Sequence, residues 1–177
     1  MQSRGEFLSE AVLSSKHLVV RYLVGFNDVT AVRQTPDLPN HLAWNLGHLA
    51  HTMNRVAEKL DGKPAFPSEF FVTGDGTRGS KDRGVFDTES VCFNSKPEER
   101  HDRFPSLNRA TDIFGAAVDR LAAAVKAAPE SKLDEAVQWG QAQTTIGMLV
   151  VRMVFHNGFH TGEIADLRRA LGFRPIM

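Results

Sequence analysis

The sequence predicts an all-α fold, a four-helix bundle with a long irregular connection between the second and third helices. Three observations carry this. Four long segments repeat apolar residues at helical spacing and end on glycine or proline. No convincing series of alternating strands appears, and the apolar run around Val150-Val151 is too long and too helical in period for one. Residues 61–105 hold four of the eight prolines and no sustained period. In a compact domain such a segment is a lid or an ordered loop with short helical turns.

The first helix is expected from about Glu6 to Val24, with Phe7, Leu8, Val12, Leu18, Val19, Tyr22 and Leu23 as its apolar residues and Gly25 as its stop. The second runs from about His41 to Leu60, with Asn40 as N-cap and Asp61-Gly62 at its end. Leu42, Leu46, Leu49, Met53, Val56 and Leu60 form one arc of it. The third runs from about Ser106 to Ala128, capped by Ser106, rich in alanine and stopped by Pro129. The fourth starts near Thr144 or Thr145 and ends at Gly172, with Pro175 just beyond. Within the long connection, Ser95-Lys96-Pro97-Glu98 reads as a capping box opening a short helical turn.

Composition bounds the function. A length of 177 residues suits a single domain with one core, residues 1–177. Lysine plus arginine equals aspartate plus glutamate at 21 each, so the basic excess of a nucleic-acid binder is missing. No polybasic run fits an anionic membrane surface, and no stretch approaches the ~20 apolar residues of a membrane span. Cys92 is the only cysteine. With no signal-like apolar core near the N-terminus, a reducing cytoplasmic setting is expected.

His156 and His160 stand four residues apart on the fourth helix, one turn apart on one face. With about 100° per residue and His156 at zero, His160 falls near +40°, Glu163 near −20°, and Leu149 and Leu167 near +20°. The pair therefore points inward with core leucines. This spacing is the commonest way for a helix to offer two nitrogens to one metal ion, and it also fits hydrogen-bonded core histidines. His48 lies off the leucine arc of the second helix, on a stripe with His41, Trp44, Asn45 and Arg55. A polar stripe with a tryptophan beside a core face suits a ligand pocket between helices. His51 is expected as a solvated surface residue.

Trp44-Asn45-Leu46-Gly47-His48-Leu49-Ala50, joined to His156-x-x-x-His160-x-Gly162-Glu163-Ile164 and Leu167-Arg168-Arg169-x-Leu171-Gly172, resembles the DinB-like superfamily. That superfamily includes the YfiT-like metal-dependent hydrolases and bacillithiol transferases. The resemblance follows most of the chain in helix order. It implies a four-helix bundle, often a homodimer, with a divalent metal on three histidines, here His48, His156 and His160. The family often has glutamine where Glu163 stands, so the resemblance assigns that carboxylate no catalytic role.

Three neutral imidazoles leave a divalent ion with open positions, where water or a thiol becomes acidic. Zinc and nickel are the first candidates, with iron and manganese also able to use imidazole. The expected function is thiol transfer or hydrolysis on a small electrophile, with a low-molecular-weight thiol as a candidate cosubstrate. The alternatives are a non-catalytic metal-binding stress-response protein and a structural helical dimer. Glu163 is a candidate base, a group orienting a ligand histidine, or a salt-bridge partner of an arginine. Trp44 and Asn45 are candidate pocket residues. Arg152, one turn before His156, is a candidate for an anionic substrate group or a salt bridge at the bundle edge. Gly74-Asp75-Gly76-Thr77-Arg78-Gly79 matches a dinucleotide-binding motif by letter but lacks the strand and helix around it. Cys92 reads as a packed apolar residue.

Overall fold

The computed structural model describes residues 2–73 and 84–176, and these are mostly helical. The four long helices are α1 (Arg4–Tyr22), α3 (Leu42–Asp61), α5 (Leu107–Ala127) and α7 (Ile146–Ala170). Three short helices lie between them: α2 (Asp28–Ala31), α4 (Thr88–Val91) and α6 (Glu130–Asp134). α1 packs on α5 and α7, and α3 packs on the same two, so each long helix touches two others. The Gly74–Gly79 motif lies outside the described residues.

The helix ends follow local chemistry. Ser3 and Glu6 form a capping box that starts α1 two residues before the expected boundary. Ser106 caps α5, as the sequence predicts, and α7, expected to start near Thr144 or Thr145, is capped by Thr145. The α3 cap differs from expectation. His41, not Asn40, sits there, and its Nδ1 accepts from the Trp44 backbone N–H at 3.0 Å. The Asn40 side chain instead reaches Glu163 on α7. Gly62 ends α3 at φ +68, a left-handed conformation that favours glycine.

The buried face of α1 is made of Gly5, Ser9, Val12, Ser15 and Val19, while Phe7 is 63% exposed. Only part of the expected apolar set therefore turns inward. Small residues let α1 approach α5 closely: a Cβ on Gly5 would stand 2.9 Å from the Val125 carbonyl oxygen. The expected arc of α3 is buried from Leu42 to Val56 and forms the centre of the core with Ile113, Phe114, Leu121 and Leu149.

Two small sheets depart from the all-helical expectation. β1 (Phe71–Val72) and β2 (Phe86–Asp87) pair in parallel. β3 (Ala136–Trp139) and β4 (Ala142–Thr145) form an antiparallel hairpin directly before α7, with Trp139 opposite Ala142. Gly140 turns the hairpin at φ +60. The signal was legible in AVQWGQAQTT, a short alternation broken by glycine in a two-residue turn. Ser95–Glu98 forms no helical turn. The Ser95 hydroxyl is engaged with the carbonyls of Ser90 and Cys92 and with Trp44, which removes it as a cap.

Candidate metal centre

α3 and α7 run antiparallel, as three side-chain pairs show: Asn40 meets Glu163, Asn45 meets His160, and Met53 meets Asn157. This register brings His48 of α3 level with His156 and His160 of α7. The ring centroids of His48 lie 5.1 Å from both, and those of His156 and His160 are 4.6 Å apart. One nitrogen from each of the three lies within 4.8 Å of the others.

The outer hydrogen bonds decide which nitrogens face inward. The segment after α4 runs back along α3 and meets the stripe expected to line a pocket. His48 Nδ1 donates to the Val91 carbonyl at 2.8 Å, which leaves the Nε2 lone pair free. Trp44 Nε1 donates to Ser95 Oγ at 2.7 Å, and its ring stacks on His48 at 4.5 Å and 9°. His41 Nε2 donates to the Glu98 carbonyl at 3.2 Å, consistent with its Nδ1 acting as the acceptor in the helix cap.

His160 is oriented from α3 and from its own helix. Its Nδ1 donates to Asn45 Oδ1 at 2.7 Å and to Glu163 Oε2 at 2.9 Å. The Asn45 amide is fixed the right way round because its Nδ2 donates to the His41 carbonyl. Asn40 Nδ2 donates to the same Glu163 oxygen. His160 therefore also presents Nε2, 3.2 Å from His156 Nε2. Two imidazoles on one tetrahedral ion, with bonds of ~2.0–2.1 Å, would hold their nitrogens about 3.3 Å apart. The donor set and its spacing fit a metal ion. His156 Nδ1 is buried with no hydrogen-bond partner among the described residues, so this ring lacks the outer acceptor that the other two have.

Burial favours the neutral, lone-pair form of His48 and of His156. Burial pushes His48 down to about 4, with His160 nearby adding to the effect. Burial pushes His156 down to about 3, helped by His160, His48 and Arg152. Burial alone would raise the Glu163 carboxyl, but its bond to His160, the charge of that ring and the Asn40 amide hold it below the usual range. Glu163 thus bonds to the outer nitrogen of His160.

The remaining candidates divide. Trp44 is buried against His48, and Asn45 touches His160 directly. Arg152 is exposed and forms no salt bridge among the described residues, which removes its bundle-edge reading. His51 is not a solvated surface residue. It is 7% exposed and stacks on Phe66 at 4.6 Å, because the long connection folds back over α3. Burial, then Arg55 and His48, push it down to about 4. Cys92 is half-buried, and its thiol donates to the Glu89 carbonyl. Sequence reasoning missed the backbone carbonyl of Val91, since a main-chain acceptor leaves no mark in residue types.

The fold has a counterpart in a crystal structure of a conserved protein from Enterococcus faecalis, similar at 17% identity with a TM-score of 0.73 over 97% of this chain and 99% of that one. No curated protein matches the chain. The model of the DinB superfamily matches residues 14–164, a span that holds all three converging histidines, the whole of α3 and α7 as far as Ile164. The chain belongs to the DinB superfamily.

Proposed function

We propose that this protein is a divalent-metal-dependent enzyme acting on a small electrophile, by thiol transfer or by hydrolysis. The observation that carries the reading is the orientation of the donors. Two of three converging imidazoles have their outer nitrogens committed to acceptors, and their inner lone pairs face a common point. A purely structural cluster gains nothing from turning three imidazole nitrogens toward one another. With zinc, nickel, iron or manganese bound, such a site supplies Lewis acidity toward water or a thiol. The described residues provide no evident fourth ligand, which leaves coordination open for a substrate.

The chain's own residues then have separate tasks. Val91 holds His48 in its Nδ1–H tautomer through the main chain. Asn45 and Glu163 do the same for His160 and stop its ring from turning. Trp44 covers one face of His48 and excludes water there. These outer contacts raise ligand basicity and fix geometry. The four long helices that position them read as one bundle, with the strap around Val91–Glu98 closing its side.

The decisive experiment is elemental mass spectrometry on tag-free protein beside His48→Ala and His156→Ala. About one equivalent of a divalent ion, lost in both variants, supports the reading. Absence of metal after reconstitution would overturn it. A metal-loaded protein that turns over no thiol plus electrophile pair, ester or amide would favour a non-catalytic metal-binding role.

We also propose a homodimer through α1 and α7. Phe7, Met148, Phe155 and Phe159 are 63%, 58%, 75% and 66% exposed and flank two apolar grooves of about 430 and about 480 Å³. Exposed apolar groups at this density mark a contact surface, and a two-fold axis lets one such face cover its own copy.

A further inference from the structure

The metal reading leaves Arg55 and Arg152 without a task. Both stand on the same side of the histidine cluster. α3 and α7 are antiparallel, so moving toward the C-terminus of α3 is moving toward the N-terminus of α7. Arg55 lies two turns past His48, and Arg152 lies one turn before His156. With a rise of about 1.5 Å per residue, their backbones sit about 10 Å and about 6 Å from the histidine levels, within about one turn of each other. Arg55 is on the His48 stripe, about 20° away after seven residues, and Arg152 is about 40° from His156.

Neither guanidinium has a carboxylate partner among the described residues. The nearest acid along α3, Glu58, is turned away and accepts from the Ala65 N–H at 3.1 Å. Asp61 at the end of α3 is held by Arg120. Arg55 is nonetheless held in place. Its guanidinium lies over the Trp139 ring at 4.8 Å from the centroid, at the tip of the β3–β4 hairpin. A stacked guanidinium keeps its N–H edge available for a planar anion.

We propose that Arg55 and Arg152 form a carboxylate-binding subsite beside the three histidines, roofed by the hairpin through Trp139. This inference rests on the metal-dependent reading above. It narrows the substrate class to small molecules with an anionic end, held several bonds away from the reacting atom. The reacting end faces His48, His156 and His160. The hairpin then has a function, because it stacks on the arginine that is farther from the metal ligands and fixes where the anionic end is held.

The test uses the full chain loaded with cobalt(II), titrated with 3-mercaptopropionate and with its neutral amide. The readout is the thiolate-to-cobalt absorption band. Two charge-assisted contacts at a partly exposed site should favour the acid about tenfold at low ionic strength. That ratio should fall to about one in the Arg55→Gln, Arg152→Gln double variant, with cobalt content and affinity for the amide unchanged. It should also shrink in the unaltered protein at about 0.5 M salt, which needs no variant. Arg152→Lys should keep part of the preference. An equal preference in native and double-variant protein, or none in the native protein, would overturn the subsite while leaving the metal site standing. Failure to retain cobalt, read by elemental analysis of the same samples, would overturn the metal reading and this inference with it.

Discussion

Side-chain identity at the site matters through its second hydrogen bond. Asn45 and Glu163 share the proton on His160 Nδ1, so each is partly redundant. Asn45→Ala should weaken metal affinity by about 10- to 100-fold, the usual cost of losing an outer contact to a ligand histidine. Glu163→Gln should cost less, because an amide oxygen still accepts from His160. A competition titration against a chelator reads both. A loss of turnover in Glu163→Gln without any change in metal affinity would instead assign the carboxylate a proton-transfer role. His41 makes a separate prediction. It is fully buried, and burial lowers it to about 4, while the unfolded chain protonates it near 6.5. The unfolded state therefore binds the extra proton between those values, and stability is lost as pH falls from about 6.5 to about 4. The slope contributed is about 1.4 kcal/mol per pH unit at most. His41→Asn keeps a capping acceptor and removes the titration, so chemical denaturation from pH 7 to 4 should show a shallower loss.

At the scale of elements, the strap against α3 depends on a glycine that helix propensity would reject. Gly47 lies in the middle of α3, where alanine is ordinarily better by about 1 kcal/mol. A Cβ there would come within 2.7 Å of the Phe86 ring and of Val91 Cγ1. Phe86 and Val91 are fully buried and have no room to yield. Gly47→Ala should therefore destabilise the protein by about 1–3 kcal/mol, as overpacking does. It should also weaken metal binding by displacing the Val91 carbonyl from His48. Denaturant midpoint and metal affinity moving together would support this, while a stabilised variant would refute it. Helix boundaries were legible wherever a cap was local: Ser106, Thr145 and Gly62 each act within one turn. The α3 cap was misassigned because Asn40 is a better cap by residue type, yet its amide is drawn to Glu163, distant in sequence.

For the whole molecule, the apolar exterior of α1 and α7 predicts association. Phe155 and Phe159 lie on α7 beside His156 and His160, and the Phe159 ring meets His160 edge-on at 5.3 Å. Covering this face would bring a second copy close to the three-histidine cluster. Phe155→Ser with Phe159→Ser should convert a dimer to a monomer in sedimentation velocity at micromolar concentration. Stability should change little, since neither ring is buried in the chain itself. A native protein that sediments as a monomer would remove the dimer and leave the metal site untouched. Among the described residues no helix is long and apolar enough to cross a membrane.

The sequence by itself determined the helical character, all four long-helix starts to within about two residues, and the identity of the converging histidines. Each rests on a period, a cap or a motif within a few turns of chain. His156 and His160 are paired by one helix, and similarity to a family brought in His48. The tertiary structure decided how those rings are held. It placed a main-chain carbonyl behind His48, split the outer bond of His160 between two helices, and buried His51 under a connection with no readable period. It also turned Phe7 out and Gly5 in, against their hydropathy. Such outcomes depend on contacts between residues far apart in sequence, whose energies are set by close packing and hydrogen-bond geometry that no local pattern records.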